Sequence, residues 1–534
     1  MARRSGPPGH HGDGRRSRRG RRRPPRAPRR AAHPRDPGDG RRRHGGVPRA
    51  RRLGCHQRDR RPRPRPAPRG GPRGVLSLAE PPRVTWSADT ESADATVAMP
   101  GLVVVRRGTV LHALEAGTGV ERWQVEVGGD PRCGPFAVAP GAAVVVDPLV
   151  CWSGSEGAGS RVTVVHADGS ATVRRLDPAV AAAAGTADGG VVTVRLVGPS
   201  PATDQVSVTP TGGLDGTPVT GQDAVVTLED AVTGARLWQH TVAHQQVLDP
   251  ASCGSVTVDR SGPEPTYTLA ASPPSVFAYA GLVEVYGCGL QAAFRLDGTV
   301  VADPGASPWW YAQPYVDGGV LEQVGGYRGD TEVASVLHGP GGVVTYPKQV
   351  LDPWATDGTS PGLVLAGSAG VPLTAYGPDG GVRWQATHVY STLLVRTARV
   401  AVLTRTYGGI AGVDLRTGRE LWVDPDLVAV DAGTVPPRAA FTDGRRAALV
   451  VDVDATNAHA ASGESTVATT VLVALDLATG AVRWRTTLPE GGSSVVAVEG
   501  HLIDTARASF TFVAPDGPGG GAVNHSPGTV HALG

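Results

Sequence analysis

The sequence predicts an all-β protein assembled from repeats, and three observations carry that prediction. One eleven-residue pattern, acidic-x-x-Thr-Gly-x-x-x-Trp with its lead-in, occurs four times in the 534-residue chain. Between the copies lie short β-rich runs, such as 141–146, 191–197 and 398–403, broken by Gly, Pro, Asp and Ser. Helical periodicity is nearly absent, the run 178–184 being at most two turns. Recurrence at intervals of tens of residues marks a repeat architecture.

The clearest copy has Asp476, Thr479, Gly480 and Trp484. The others have Asp414, Thr417, Gly418 and Trp422; Glu115, Thr118, Gly119 and Trp123; and Asp230, Thr233, Gly234 and Trp238. A shorter form, 378–381, leads to Trp384. A strand runs into each segment. Asp and Thr side chains bond nearby backbone N–H groups, and Gly takes positive φ, so the segment reads as a turn. A second strand follows, carrying Trp as a large apolar anchor.

In chain order, residues 1–74 come first. They hold 26 Arg and 4 Asp and almost no apolar side chains. Such a segment cannot bury enough surface to fold and is expected to be disordered. Three readings stay open: an arm held to nucleic-acid phosphates, though without aromatic residues to stack bases; a solvated linker; or an out-of-frame or wrong-start product of GC-rich DNA. Lys348 is the single lysine among 52 basic residues, which points to a GC-rich genome such as an actinobacterium's. The pair His10 and His11 is read as incidental. No run approaches the ~18 apolar residues of a membrane helix, and no signal-peptide core follows Met1.

The remainder, 75–534, carries 26 basic and 45 acidic residues. That negative balance argues against nucleic acid as its partner. Arg83 to Trp86 resembles the last strand of a repeat without its upstream partner. Weaker strand–turn copies occur at 161–169, 293–301, 336–344 and 510–517, and the chain closes on 528–533, which echoes 108–114. Polar stretches at 199–223 and 454–465 read as surface insertions.

The repeat resembles the tryptophan-docking motif of the quinoprotein, or PQQ-like, β-propellers. That family includes pyrroloquinoline-quinone alcohol dehydrogenases, and also propellers without quinone such as envelope assembly lipoproteins and uncharacterised actinobacterial proteins. The resemblance spans 84–534 and implies a closed ring of four-stranded antiparallel blades, an architecture also built by WD repeats. It assigns Trp123, Trp238, Trp384, Trp422 and Trp484 to docking on the adjacent blade. Nine candidate hairpins over roughly 450 residues, at ~40–60 per blade, give eight blades, with seven as the alternative. The chain ends are expected to share the closing blade, with the Trp86 strand beside 510–513 or 529–533, because an open ring leaves unpaired strand edges.

The resemblance does not by itself imply catalysis. Quinone enzymes of this fold clamp the cofactor between a Trp and a disulfide of adjacent cysteines, and hold calcium with carboxylate and amide ligands. No Cys-Cys pair occurs here and no calcium set can be matched, so no cofactor and no metal are expected. Hydrolase, metalloprotease, P-loop and kinase signatures are absent from the sequence. The expected function is a monomeric, non-catalytic scaffold binding an unidentified protein or envelope ligand, with a PQQ-dependent dehydrogenase as the alternative and a hydrolase or lyase on the same ring as a third reading. An envelope location follows from the resemblance, with a membrane anchor possible in a lost N-terminus. Cys133 with Cys151, and Cys253 with Cys288, are candidate disulfides suited to an oxidising compartment, against buried free thiols; Cys55 lies in the tail. The carboxylates Asp452 and Asp454 are a weak cation candidate. His112 and His531 occupy matching strand positions. Trp309-Trp310-Tyr311 is read as a binding patch or as a replacement for a repeat Trp.

Overall fold

Each acidic-Thr-Gly segment makes a tight turn between two antiparallel strands, for the reason its residues suggest. Asp230 Oδ1 accepts the Thr233 N–H at 2.7 Å, the Val232 N–H at 3.1 Å and the Thr233 hydroxyl at 2.8 Å. Asp414 and Asp476 repeat that pattern. Glu115, one methylene longer, accepts the Thr118 hydroxyl at 2.6 Å. Gly119, Gly234, Gly418 and Gly480 all have φ between 71° and 73°, the left-handed region that glycine enters without cost.

The computed structural model describes residues 75, 77–90, 97–129, 131–154, 159–198, 221–245, 254–259, 266–271, 273–302, 310–324, 334–339, 341–359, 361–368, 370–406, 408–427, 437–453, 469–489, 494–505, 510–512, 523–525 and 528–534. All belong to the second of the chain's two units, 66–534. The stretch 1–74, most of the expected insertion 199–223 and all of 454–465 lie outside them.

Every described secondary-structure element is a strand. Among the described residues there are eight larger sheets. Seven are four-stranded and antiparallel: 97–126, 132–175, 182–242, 275–302, 310–346, 439–487, and a closing sheet built from both ends of the unit. They are called here the first to fifth, the seventh and the closing sheet. The sixth, over 355–424, has seven strands. Its long strand Val382–Arg396 pairs first with Val371–Tyr376 and then with Val400–Arg405. Undivided, this sheet leaves eight blades, the expected number. Divided within that strand, it supplies two and the ring has nine.

The closing sheet is formed as the chain ends suggest. Val84–Thr90 pairs with Gly528–Leu533, Trp86 opposite Ala532 and Ala88 opposite Val530. Gly528–Leu533 pairs in turn with His501–Thr505. The candidate copy at 510–517 is corrected: Phe510–Phe512 pairs with Val523–His525 in a separate two-stranded hairpin, since the closing sheet already has its four strands. A second hairpin, Gly254–Asp259 with Thr266–Ala271, lies between the third and fourth sheets.

Neighbouring sheets are joined by one repeated contact. Trp123 Nε1–H donates to the Ala167 carbonyl at 2.9 Å, Trp238 to Leu296 at 2.9 Å, Trp384 to Leu415 at 2.7 Å and Trp422 to Leu477 at 2.9 Å. Trp86 donates to Ala116 at 3.0 Å, across the joint between closing and first sheets. The acceptor in each case is the second residue of a turn, which lies in the next sheet except for Trp384, whose acceptor turn follows Ile410–Asp414 across the same seven-stranded sheet. The indole also covers the turn glycine: a Cβ on Gly119 would sit 2.6 Å from Trp86, and one on Gly480 2.5 Å from Trp422. The motif therefore needs glycine both for its φ and for the ring packed on it. Between the second and third sheets Arg174 stands in for Trp, donating to the Ala231 carbonyl at 3.2 Å and to Glu229 at 2.9 Å.

The closing sheet lacks a turn of its own, because the chain ends interrupt it there. Leu78 fills that place. Its carbonyl accepts Trp484 Nε1–H at 3.0 Å and its N–H donates to Asp443 Oδ2 at 2.9 Å. Burial pushes the Asp443 carboxyl up, but the N–H groups of Leu78, Arg445 and Arg446 outweigh it and hold the group below its usual range. Val75 and Leu78 are buried in the core between the seventh and closing sheets.

Outer strands such as Glu121–Glu126 and Val482–Thr487 alternate exposed and half-buried residues, whereas Ala182–Gly185 and Ala439–Thr442 are buried throughout. Apolar clusters straddle neighbouring sheets, for example third with fourth and closing with first. Serial docking plus closure by both ends defines a β-propeller.

Candidate functional site

The first two strands of the second sheet, Arg132–Gly134 and Leu149–Ser153, are joined by a long excursion, 135–148. At its base Cys133 and Cys151 face each other in register and form a disulfide, their Cα atoms 4.0 Å apart. The excursion then touches the first strands of sheets all round the ring. Phe136 N–H donates to the Ala278 carbonyl of the fourth sheet at 2.7 Å. Gly141 accepts the Ala497 N–H of the closing sheet at 3.0 Å, and Val146 N–H donates to Ala98 of the first sheet at 3.0 Å. Phe441 and Ala439 of the seventh sheet come so near Gly141 that a Cβ there would lie 3.0–3.1 Å from them. The ring axis is the one place within reach of all these strands, so the excursion crosses the axis.

Beside it lies a cavity of about 180 Å³. Val138 and Ala139 of the excursion form one wall. The polar lining comes from Gln313 and Gln323 of the fifth sheet, Gln349 and Asp352 of the run entering the sixth, and Ser391 and Thr392 of its long strand; Trp354 adds an aromatic wall. Ser391 is exposed, which opens the cavity to solvent.

Gln323 is its most informative group. It lies on Val320–Val324, whose Val320 and Leu321 are in the core, and is itself 5% exposed. Among the described residues nothing hydrogen-bonds its amide, although it lines the cavity. Its amide borders the cavity, so its donors and its acceptor are open to whatever enters. Asp352 is anchored from behind: its Oδ1 accepts the Val316 N–H at 3.2 Å. Nearby, the fully buried Arg396 guanidinium is held bidentately by Asp317, with Nη1 2.8 Å from Oδ2. No basic side chain lines the cavity.

The residues singled out from sequence fall elsewhere. The acidic, Thr, Gly and Trp positions of the repeat lie in turns and docking contacts, at the seams between sheets. Asp452 does not offer an open cation site: it is buried, accepts the Thr470 hydroxyl at 2.9 Å and pairs with Arg438. Asp454 lies outside the described residues, as do Cys253, Trp309 and the side chains of Trp310 and Tyr311; Cys288 is disulfide-bonded. Among the described residues no group of three or more His, Cys, Asp or Glu could hold a metal, and no helix is long and apolar enough to cross a membrane.

His112 Nδ1 meets Glu121 at 2.8 Å. His531 lies in a row with Ser87 and the buried Asp504 on three adjacent strands, its Nδ1 2.7 Å from Ser87 Oγ. A nucleophilic triad needs Ser and Asp on opposite ring nitrogens. Here Nε2 of His531 is buried with no partner among the described residues, so the row does not relay. The three glutamines were missed by motif reading. The one signal for Gln323 is an amide on an otherwise core-facing strand.

No family model matches the chain, and no curated protein matches its sequence. Among solved structures, BamB from Moraxella catarrhalis is similar over 85% of this chain and 99% of its own, at 13% identity and a TM-score of 0.37. The computationally designed Ika8 protein is similar over 86% and 99%, at 11% identity and 0.35. A quinohemoprotein alcohol dehydrogenase from Pseudomonas putida is similar over 73% and 67%, at 13% identity and 0.26. At these values the propeller assignment rests on the strand pairing, the docking contacts and the closure described above.

Proposed function

We propose that this chain is a non-catalytic propeller of the cell envelope of an actinobacterium, a monomeric module that binds a protein or small ligand rather than transforming it. The observation that carries the reading is the axial cavity: neutral amides and hydroxyls dominate its polar lining, and Gln323, on a strand of the fifth sheet, is among them. Its one carboxylate, Asp352, is engaged by the Val316 N–H, and the Ser391 hydroxyl meets the Thr404 hydroxyl rather than a base, an arrangement that favours recognition over nucleophilic catalysis. The Cys133–Cys151 disulfide suits an oxidising compartment, and the acidic balance of 75–534 disfavours nucleic acid as partner.

A quinone does not fit this site. The disulfide joins two paired strands rather than adjacent residues, so it cannot form the clamp of the quinone enzymes, and no basic side chain lines the cavity to meet the carboxylates of pyrroloquinoline quinone. Purified chain given quinone and calcium is therefore expected to show no dye-linked alcohol oxidation. Turnover that depends on both additions would overturn the reading.

A further inference from the structure

We propose that the axial cavity is a binding site for a small neutral polyol, of the size of one sugar ring or cyclitol, with Gln323 as its principal hydrogen-bonding residue. The inference rests on the binding-module reading and names the ligand class for it.

Size comes first. A drug-sized site encloses ~300–1,000 Å³; this cavity, at about 180 Å³, takes a smaller molecule. Charge comes next. With no Lys, Arg or His in the lining, an anion would find no countercharge. One carboxylate, already engaged by the Val316 N–H, is a poor cage for a bare cation, which takes six or more oxygens when it is calcium. What remains is a neutral ligand rich in hydrogen-bonding groups.

The lining then selects hydroxyls. Each glutamine amide offers donors and an acceptor side by side, and each hydroxyl of a polyol is likewise donor and acceptor. Gln313, Gln323 and Gln349 come from separate segments and line one space, so they can meet several hydroxyls of one ring. Trp354 supplies an apolar wall for the ring's C–H groups. The Gln323 amide borders the cavity, and a ligand that closes it off from water must supply its hydrogen bonds.

Calorimetric titration and saturation-transfer NMR on the full chain test this, with glucose, myo-inositol and glycerol as probes and sodium phosphate as the anion control. A ring polyol should bind at millimolar concentration or better, glycerol more weakly, and phosphate not at all. Gln323→Leu, which keeps the volume, should weaken ring-polyol binding roughly tenfold, the value of one lost hydrogen bond with its partner left unmet, without lowering the melting temperature. Ser391→Trp, at the exposed mouth, should block binding and serves if Gln323→Leu does not fold. The proposal is overturned if neither ring polyol binds at tens of millimolar, if phosphate binds as well as glucose, or if both variants bind like the parent. The quinone assay on the same preparation separates the two readings. No turnover with no polyol binding removes the ligand class alone, while quinone-dependent turnover removes the binding-module reading itself.

Discussion

Two arcs of the ring are built differently. From the long strand of the sixth sheet through the seventh, closing and first sheets to the second, each seam is closed by a tryptophan: Trp384, Trp422, Trp484, Trp86 and Trp123. From the fourth sheet into the sixth no tryptophan docks among the described residues. There Arg295 donates to the His338 carbonyl at 2.9 Å, and Val344 lies under the turn at Gly380. The second arc also buries Glu284, Gln323, Ser335 and the Tyr346–Tyr376 ring pair, and the axial cavity opens beside it. One large anchor settles a seam with apolar contact and a single hydrogen bond. Both arcs bury polar side chains, Asp452 and Asp504 among them in the tryptophan arc, but in the second arc Gln323 is among those that line the axial cavity. Loss of the tryptophan docking thus coincides with the cavity proposed above as a binding site.

The largest break in this comparison should come at the joint in the regular arc. Deleting residues 1–74 should leave the melting temperature nearly unchanged, whereas extending the deletion through Ala88 removes Leu78, the acceptor for Trp484, together with the strand carrying Trp86. Thermal melts should then differ by several degrees, the longer deletion being lower; equal melts would refute closure by both ends. Within the seams, Trp422→Ala should cost about 3–5 kcal/mol, the range for emptying a large aromatic site. Arg174→Ala, which loses a half-buried pair and one bond to a carbonyl, should cost about 1 kcal/mol. Urea unfolding measures both, and similar costs would erase the distinction between tryptophan seams and substitute ones.

The irregular arc should reveal itself by pH. Burial in the fourth sheet pushes the Glu284 carboxyl up to about 7, against smaller opposing effects from the Ala312 N–H and the Tyr279 hydroxyl. Its folded value therefore exceeds its unfolded one. The native state holds the extra proton, and this group's contribution is complete below about 4.5 and lost as pH rises through about 7. Between those limits the parent should lose on the order of 2 kcal/mol that Glu284→Gln does not lose. Chemical denaturation at pH 5 and pH 8 gives the comparison, and parallel slopes for the two proteins would place Glu284 in a more solvated setting than the fourth-to-fifth seam.

Much of this molecule is written in neighbouring residues. The turn of Asp476, Thr479 and Gly480 forms from groups three or four positions apart, and the Trp eight positions after the acid fixes the spacing of each hairpin. The incomplete repeat at Arg83–Trp86 and its counterpart at 529–533 likewise announced the shared closing sheet, because a missing strand at one end and a spare one at the other are both local patterns. Leu78 was harder to read: nothing beside it shows that Trp484, four hundred residues on, needs its carbonyl. The division of Val382–Arg396 between two strand pairings, which decides the blade count, follows from how the chain passes from one partner to the next and not from its composition.

The axis lay further still from the sequence. Residues 135–148 carry no motif, and Gln313, Gln323, Gln349 and Ser391 are unremarkable in their own segments. The sequence determined the hairpins, the seams and the closing of the ring, because side chains within a few positions of one another set those contacts. Only the tertiary structure decided that one excursion crosses the axis and that an amide on a buried strand looks into the space beside it. A ring brings the inner ends of all its sheets to one line, and residues far apart in the chain meet there with no local pattern to record it.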